Sequence, residues 1–172
     1  MRRFIILSLI LVMTPALFVL AQDPEKTDLT EAGQMVPQFT VTTLDGQEFD
    51  SHKLNGKVTL INFFATWCGP CKAEMPHIEK DIWQRFKNNN FTVILIGREH
   101  TNEEVSKFKE EKDFTFPMAA DPNREIYKRF ATKYIPRNYI IDTDGRIAYQ
   151  SMGYTEEEFN HIVEVVKKLI KE

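Results

Sequence analysis

Cysteine is almost absent: the chain of 172 residues holds two, Cys68 and Cys71. That scarcity excludes a framework of structural disulfides, which takes several pairs. It also argues against zinc, which needs four ligands, because His52, His77, His100 and His161 are scattered. No CxxCH stands anywhere, so the c-type haem attachment pattern is missing. Repeats and low-complexity tracts are lacking as well, and the length suits one domain with a sizeable core. There is no basic excess: the net charge is −3, which gives no reason to expect nucleic acid or an anionic membrane surface as partner. Hydrophobic residues make up 42% and charged residues 27%, ordinary for a globular protein.

The one long apolar run lies at the N-terminus. Arg2-Arg3 precede Phe4 to Leu20, followed by Ala21 and the polar Gln22-Asp23-Pro24-Glu25-Lys26. A charged start, an apolar stretch and a small-residue exit predict a secretory signal peptide over 1–21. The alternative is an uncleaved anchor formed by residues 4–20, which approach the length of a bilayer span. Twin arginines alone do not argue for the folded-protein export route, and no cysteine near the exit allows lipid attachment. Either way the domain is expected outside the cytoplasm, periplasmic or facing outward from the membrane. Loss of Arg2 and Arg3 leaves 20 basic against 25 acidic residues, a net charge of −5.

What is present is a CxxC pair, Trp67-Cys68-Gly69-Pro70-Cys71, placed where the apolar run Val58 to Ala65 gives way to a helix-like stretch from Pro70 to Phe86. Residues three apart on a helix share a face, about 5 to 6 Å apart, within disulfide reach. Unpaired N–H groups and a partial positive charge at the helix start stabilise a thiolate. Cys68, just ahead of that start, is expected to have a lowered pKa and to attack; Cys71, inside the first turn, resolves. Pro70 is tolerated because a first-turn N–H has no intrahelical partner. A purely structural bridge is the plainer reading, but so short a loop removes little unfolded-state entropy. An exported chain with a single CxxC therefore points to dithiol/disulfide chemistry, with no cofactor beyond the cysteine pair and no metal.

Along the chain, residues 22–34 read as a polar tether and 35–172 as the domain. Phe39 to Thr43 and Gln47 to Phe49 flank Asp45-Gly46, a hairpin. Val58 to Ala65 and Phe91 to Ile96 read as strands buried on both faces. A helix is expected from about Glu103 to Lys112. Asp121-Pro122 reads as the cap and first turn of another, ending near Ala131. Asn138 to Ile141 and Arg146 to Tyr149 make a second hairpin around Asp142-Thr-Asp-Gly145. Thr155 and Glu158 form a capping box for a last helix running to about Ile170. The order implies an α/β domain with a central mixed sheet flanked by helices, an N-terminal β-hairpin and a βα insert.

With these residues in hand, the chain resembles the exported TlpA/ResA-like branch of the thioredoxin fold. The stretch Trp67-Cys-Gly-Pro-Cys71-Lys-Ala-Glu74-Met-Pro76 is similar to that branch's WCxPCxxExP signature. The resemblance runs from about residue 35 to the end. It implies that Ile135-Pro136 is a cis peptide facing the CxxC, with the Ile135 backbone open to an extended substrate segment. Trp67, Gly69, Pro70, Ile135 and Pro136 would form or support the substrate rim. Pro76 matches a helix-kinking proline, and Gly153 a glycine after the last strand.

Two departures matter. Where many thioredoxins carry a buried acid in the central strand, this chain has Asn62. Where the branch often has a glutamate after the glycine ending the next strand, Gly97 is followed by Arg98, with Glu99 one residue later. Arg98 could approach the thiolates as a charge, a bulge could restore Glu99, or both could be solvated. The resemblance implies a thiol–disulfide oxidoreductase acting on client protein disulfides. Gly69-Pro70 favours a reductant fed by a membrane dithiol donor. Alternatives are an oxidase or isomerase using the same pair, or a non-catalytic module that binds clients. A peroxidase is disfavoured because the PxxxTxxC setting is missing.

Overall fold

The computed structural model describes residues 27–54 and 56–171, so the expected signal peptide or anchor lies outside the described residues. The central sheet has five strands in the order β5-β4-β3-β6-β7: β3 Val58–Phe64, β4 Phe91–Arg98, β5 Met118–Asp121, β6 Arg137–Ile141 and β7 Ile147–Met152. Strands β3, β4 and β5 run parallel, whereas β6 pairs antiparallel with β3 and β7 with β6. A separate antiparallel hairpin, β1 Thr40–Thr42 and β2 Glu48–Asp50, precedes them. This is the expected mixed-sheet, thioredoxin-like α/β fold.

All seven residues of β3 are buried, which explains why five of them are apolar on both faces, Thr59 and Asn62 being the exceptions. One face packs Leu60 and Phe64 against helix side chains, among them Met75, Phe108, Phe159 and Ile162. These come from α1 Gly69–His77, α3 Asn102–Glu111 and α4 Glu156–Lys171. The other packs Ile61 and Phe63 against Phe39, Tyr127 and Phe130. Each such side chain contributes about 1.5–3 kcal/mol of burial. Helix α3 comes so close to β4 that a Cβ on Gly97 would meet Val105 Cγ2 at 2.8 Å. Glycine there is a packing requirement.

The CxxC helix is continuous but not uniform. After α1, which contains Pro76, it widens into a π-helical segment, Ile78–Trp83, and closes with α2 Gln84–Phe86. Pro76 has no N–H for the regular ladder, and the wider turn follows directly.

The expected helix from Asp121 to Ala131 is not formed. Asp121 is the last residue of β5, and only Tyr127–Arg129 makes a short 3₁₀ turn. Asp121 Oδ2 reaches past one turn to accept from Ile126 N–H (3.1 Å) and Tyr127 N–H (2.8 Å), and Arg124 takes φ 58°. That side-chain alternative to a helical ladder overrides the cap-plus-proline signal. In the last helix, Thr155 caps Glu158 N–H at 3.1 Å, but the Glu158 carboxylate accepts from Tyr149 hydroxyl instead of closing the box.

Residues 27–34, within the segment read as a tether, lie along the domain. Leu29 N–H donates to Phe130 O at 2.9 Å and Gly33 N–H to Ile147 O at 2.8 Å. Asp28 pairs with Arg137, whose side chain is 1% exposed and also donates to Thr27 Oγ1 and Lys133 O. Arg137 is the residue after Pro136, so this clamp backs one wall of the site. Removing one partner of a buried pair strands a charge. Because Asp28 is a third exposed and Arg137 keeps other acceptors, Asp28→Ala should cost about 2 kcal/mol. Urea unfolding checks this; a loss under about 0.5 kcal/mol would refute the clamp.

Candidate active site

Cys68 caps α1 from extended backbone (φ −78°, ψ 115°), which its position at the end of the strand-to-helix turn dictates. The two cysteines form a disulfide with Cα atoms 5.3 Å apart. Cys68 Sγ accepts from Cys71 N–H at 3.2 Å, so one of the first orphan donors of the helix points at this sulfur. The burial is asymmetric: Cys68 is 5% exposed at the floor of an open cleft, whereas Cys71 is 0% exposed beneath it.

The cleft, about 360 Å³, is lined by Trp67, Cys68, Gly69, Pro70, Arg98, Tyr134 and Ile135. The Ile135-Pro136 peptide is cis, and Cys68 Sγ lies 3.8 Å from Ile135 O. Gly153, at φ 81°, donates its N–H to Pro136 O at 2.8 Å, fastening the proline loop to the end of β7. Trp67 and Tyr134 are exposed on the two sides.

The two departures now have positions. Arg98 turns into the cleft, its guanidinium 5.9 Å from the Trp67 ring. Glu99 does not: φ 63° sends it outward, where it pairs with Arg98 at 3.1 Å and lies 3.9 Å from Arg124. Asn62 is fully buried behind the cysteines. Its amide nitrogen donates to Glu74 Oε2 at 3.0 Å and to Asn138 Oδ1 at 2.8 Å, and Asn138 in turn donates to Glu74 Oε1 at 2.6 Å.

Glu74 is the site residue that stands within the signature without a role assigned from sequence. It is 1% exposed, on α1 one turn past Cys71. Burial pushes its carboxyl up to about 7, and the amide donors of Asn138 and Asn62 only partly offset this. The available signal was an acid on the inward face of the CxxC helix. His100, set aside among scattered histidines, is buried and its Nε2 accepts from Thr66 N–H at 3.0 Å, two residues before Cys68. Its Nδ1 faces Glu104 at 3.3 Å, linking the CxxC turn to the capped start of α3. No cluster of three or more metal-ligating side chains occurs among the described residues.

A parallel–antiparallel sheet with a disulfide at the N-terminus of its first long helix and a cis-proline opposite defines a thioredoxin-fold thiol–disulfide oxidoreductase. Comparison with known proteins narrows this. The Redoxin family matches residues 31–167, and the chain belongs to it, in its ResA/TlpA-like branch. It is 31% identical over 144 residues to the thiol-disulfide oxidoreductase ResA of Bacillus thuringiensis subsp. konkukian, covering 84% of this chain and 82% of the relative. Identity to ResA of Oceanobacillus iheyensis is 32% over 152 residues, 84% and 79% of the two chains. Among solved structures, a Bacteroides thetaiotaomicron protein provisionally described as a protein disulfide isomerase superposes with a TM-score of 0.81 at 38% identity, covering 85% of this chain and 94% of that one.

Proposed function

We propose that this protein is an exported reductant of client protein disulfides. The observation that carries the order of attack is the asymmetry of the pair: Cys68 opens to the cleft and Cys71 is sealed below it. The reducing direction rests on the Gly69-Pro70 pair between the cysteines. In the dithiol form, Cys68 thiolate attacks one sulfur of a client disulfide, forming a Cys68–client bond and expelling the other client sulfur as thiolate. Cys71 thiolate then attacks Cys68 Sγ, re-forming the Cys68–Cys71 bond and releasing the second client thiolate. Two electrons pass from the pair to the client, and a membrane dithiol donor returns them. Glu74, ionisable near neutrality and one turn from Cys71, takes the Cys71 proton before resolution. Trp67, Gly69, Pro70, Ile135 and Pro136 hold the client segment, and no cofactor beyond the cysteine pair is used. Residues 4–20 either direct export and are removed or tether the domain. Among the described residues, no helix is long and apolar enough to cross a membrane.

An isomerase or oxidase using the same pair is the second reading, favoured by the description of the Bacteroides structure. Equilibration against dithiothreitol and glutathione buffers separates the two. A potential near or below about −250 mV is expected for the reductant. A value between about −180 and −120 mV would reverse the direction of electron flow.

A further inference from the structure

We propose that Arg98 reads charge at the mouth of the cleft, so that preferred clients carry an acidic residue within about two positions of the attacked cysteine. The inference rests on Cys68 as the attacking sulfur and adds the substrate class.

Arg98 ends β4, and its guanidinium is fixed between two rings, 4.8 Å from Tyr127 and 5.9 Å from Trp67. Tyr127 also carries Arg124 at 5.1 Å. Its hydroxyl donates to Tyr134 O at 2.6 Å, immediately before Ile135. One stack therefore joins both walls of the cleft, with Arg98 between them. The side chain is only 13% exposed, so its position is held by packing and little rotamer entropy remains to be lost on binding. Glu99 pairs with Arg98 and lies near Arg124. Asp121, in register with Arg98 on β5, turns its carboxylate to the Ile126 and Tyr127 N–H groups, so among the described residues no carboxylate lines the cleft beside Arg98. Arg98 Nε is buried without a hydrogen-bond partner.

Among the described residues, Arg98 is also the only charged side chain that lines the cleft. The chain as a whole is acidic, net −3, so this cation is a local feature and not part of a general attractive field for anions. An extended segment that lies along Ile135 with its sulfur at Cys68 advances about 3.3 Å per residue. A neighbouring carboxylate thus falls within reach of the guanidinium, whereas a lysine there meets like charge in a partly desolvated setting.

The test uses the reduced full chain and two disulfide-linked peptides identical except for Asp or Lys beside the cysteine. Second-order rates are measured at about 20 mM and about 1 M salt, with uncharged hydroxyethyl disulfide as reference. The expected Asp-to-Lys rate ratio is about 10 at low salt, falling toward 1 at high salt. Arg98→Gln should bring the ratio below about 2, and Arg98→Lys should keep a preference of the same sign. If Arg98→Gln does not fold, Arg98→Lys and the salt series decide. A wild-type ratio within about twofold, or one unchanged in Arg98→Gln, overturns the assignment. Failure to reduce any of the three disulfides would instead overturn the reductant reading on which it rests.

Discussion

Serine in place of Cys71 should stop the reaction at its first exchange, leaving a covalent adduct between Cys68 and client that survives non-reducing electrophoresis. Cys68→Ser should form no adduct and lose at least about 10³-fold in turnover, as expected when the group making the covalent bond is removed. The reason is positional. Cys68 sits in the open cleft 3.8 Å from Ile135 O, while Cys71 is fully enclosed and can attack only a sulfur already bound at Cys68. Adducts through Cys71 in the Cys68→Ser protein, equal in yield, would sink the assignment of roles. A module that holds clients without turnover would keep its partners in the double serine variant. That variant should remain folded, since a loop closed between residues three apart accounts for about 2 kcal/mol at most.

The cysteine pair, its helix and the central strands were legible because each rests on local chemistry. Val58–Phe64 is apolar apart from Thr59 and Asn62, and a turn residue or motif punctuates each end. The cis-proline came from the resemblance, not from any local signal at Ile135-Pro136. What stayed hidden depends on contacts far apart in sequence. Asp121 looks like a helix cap until β5 pairs with β4 and its carboxylate turns to Ile126 and Tyr127. Arg137 reads as an ordinary charged strand residue, yet it is buried because Asp28, more than a hundred residues earlier, reaches it. Arg98 and Glu99 could not be oriented from sequence, since the positive φ at Glu99 decides which of them enters the cleft.

Glu74 shows the same limit and carries a large expected effect. A buried carboxyl that titrates near 7 in the folded chain and near 4.5 when unfolded favours its protonated form on folding. Its contribution to stability is therefore greatest below pH 4.5. It declines by about 1.4 kcal/mol per pH unit between the two values and levels off above 7, a total loss of about 3 kcal/mol. Glu74→Gln removes the titration. Both Glu74 oxygens accept from asparagine amides, so the new amide nitrogen faces a donor and adds a cost that does not depend on pH. Denaturation of the oxidised proteins at pH 5, 6, 7 and 8 should show the variant gaining on the wild type by about 3 kcal/mol across that range. Other carboxylates cancel in this difference, so a gap independent of pH would mean that Glu74 stays ionised throughout. The gain in stability comes with a loss in chemistry. Without a proton acceptor beside Cys71, resolution of the mixed disulfide should slow about 100-fold at pH 7. Attack by Cys68 on the client, which precedes that step, should change far less. An equal slowing of both steps would assign Glu74 to packing of the helix instead of to the Cys71 proton.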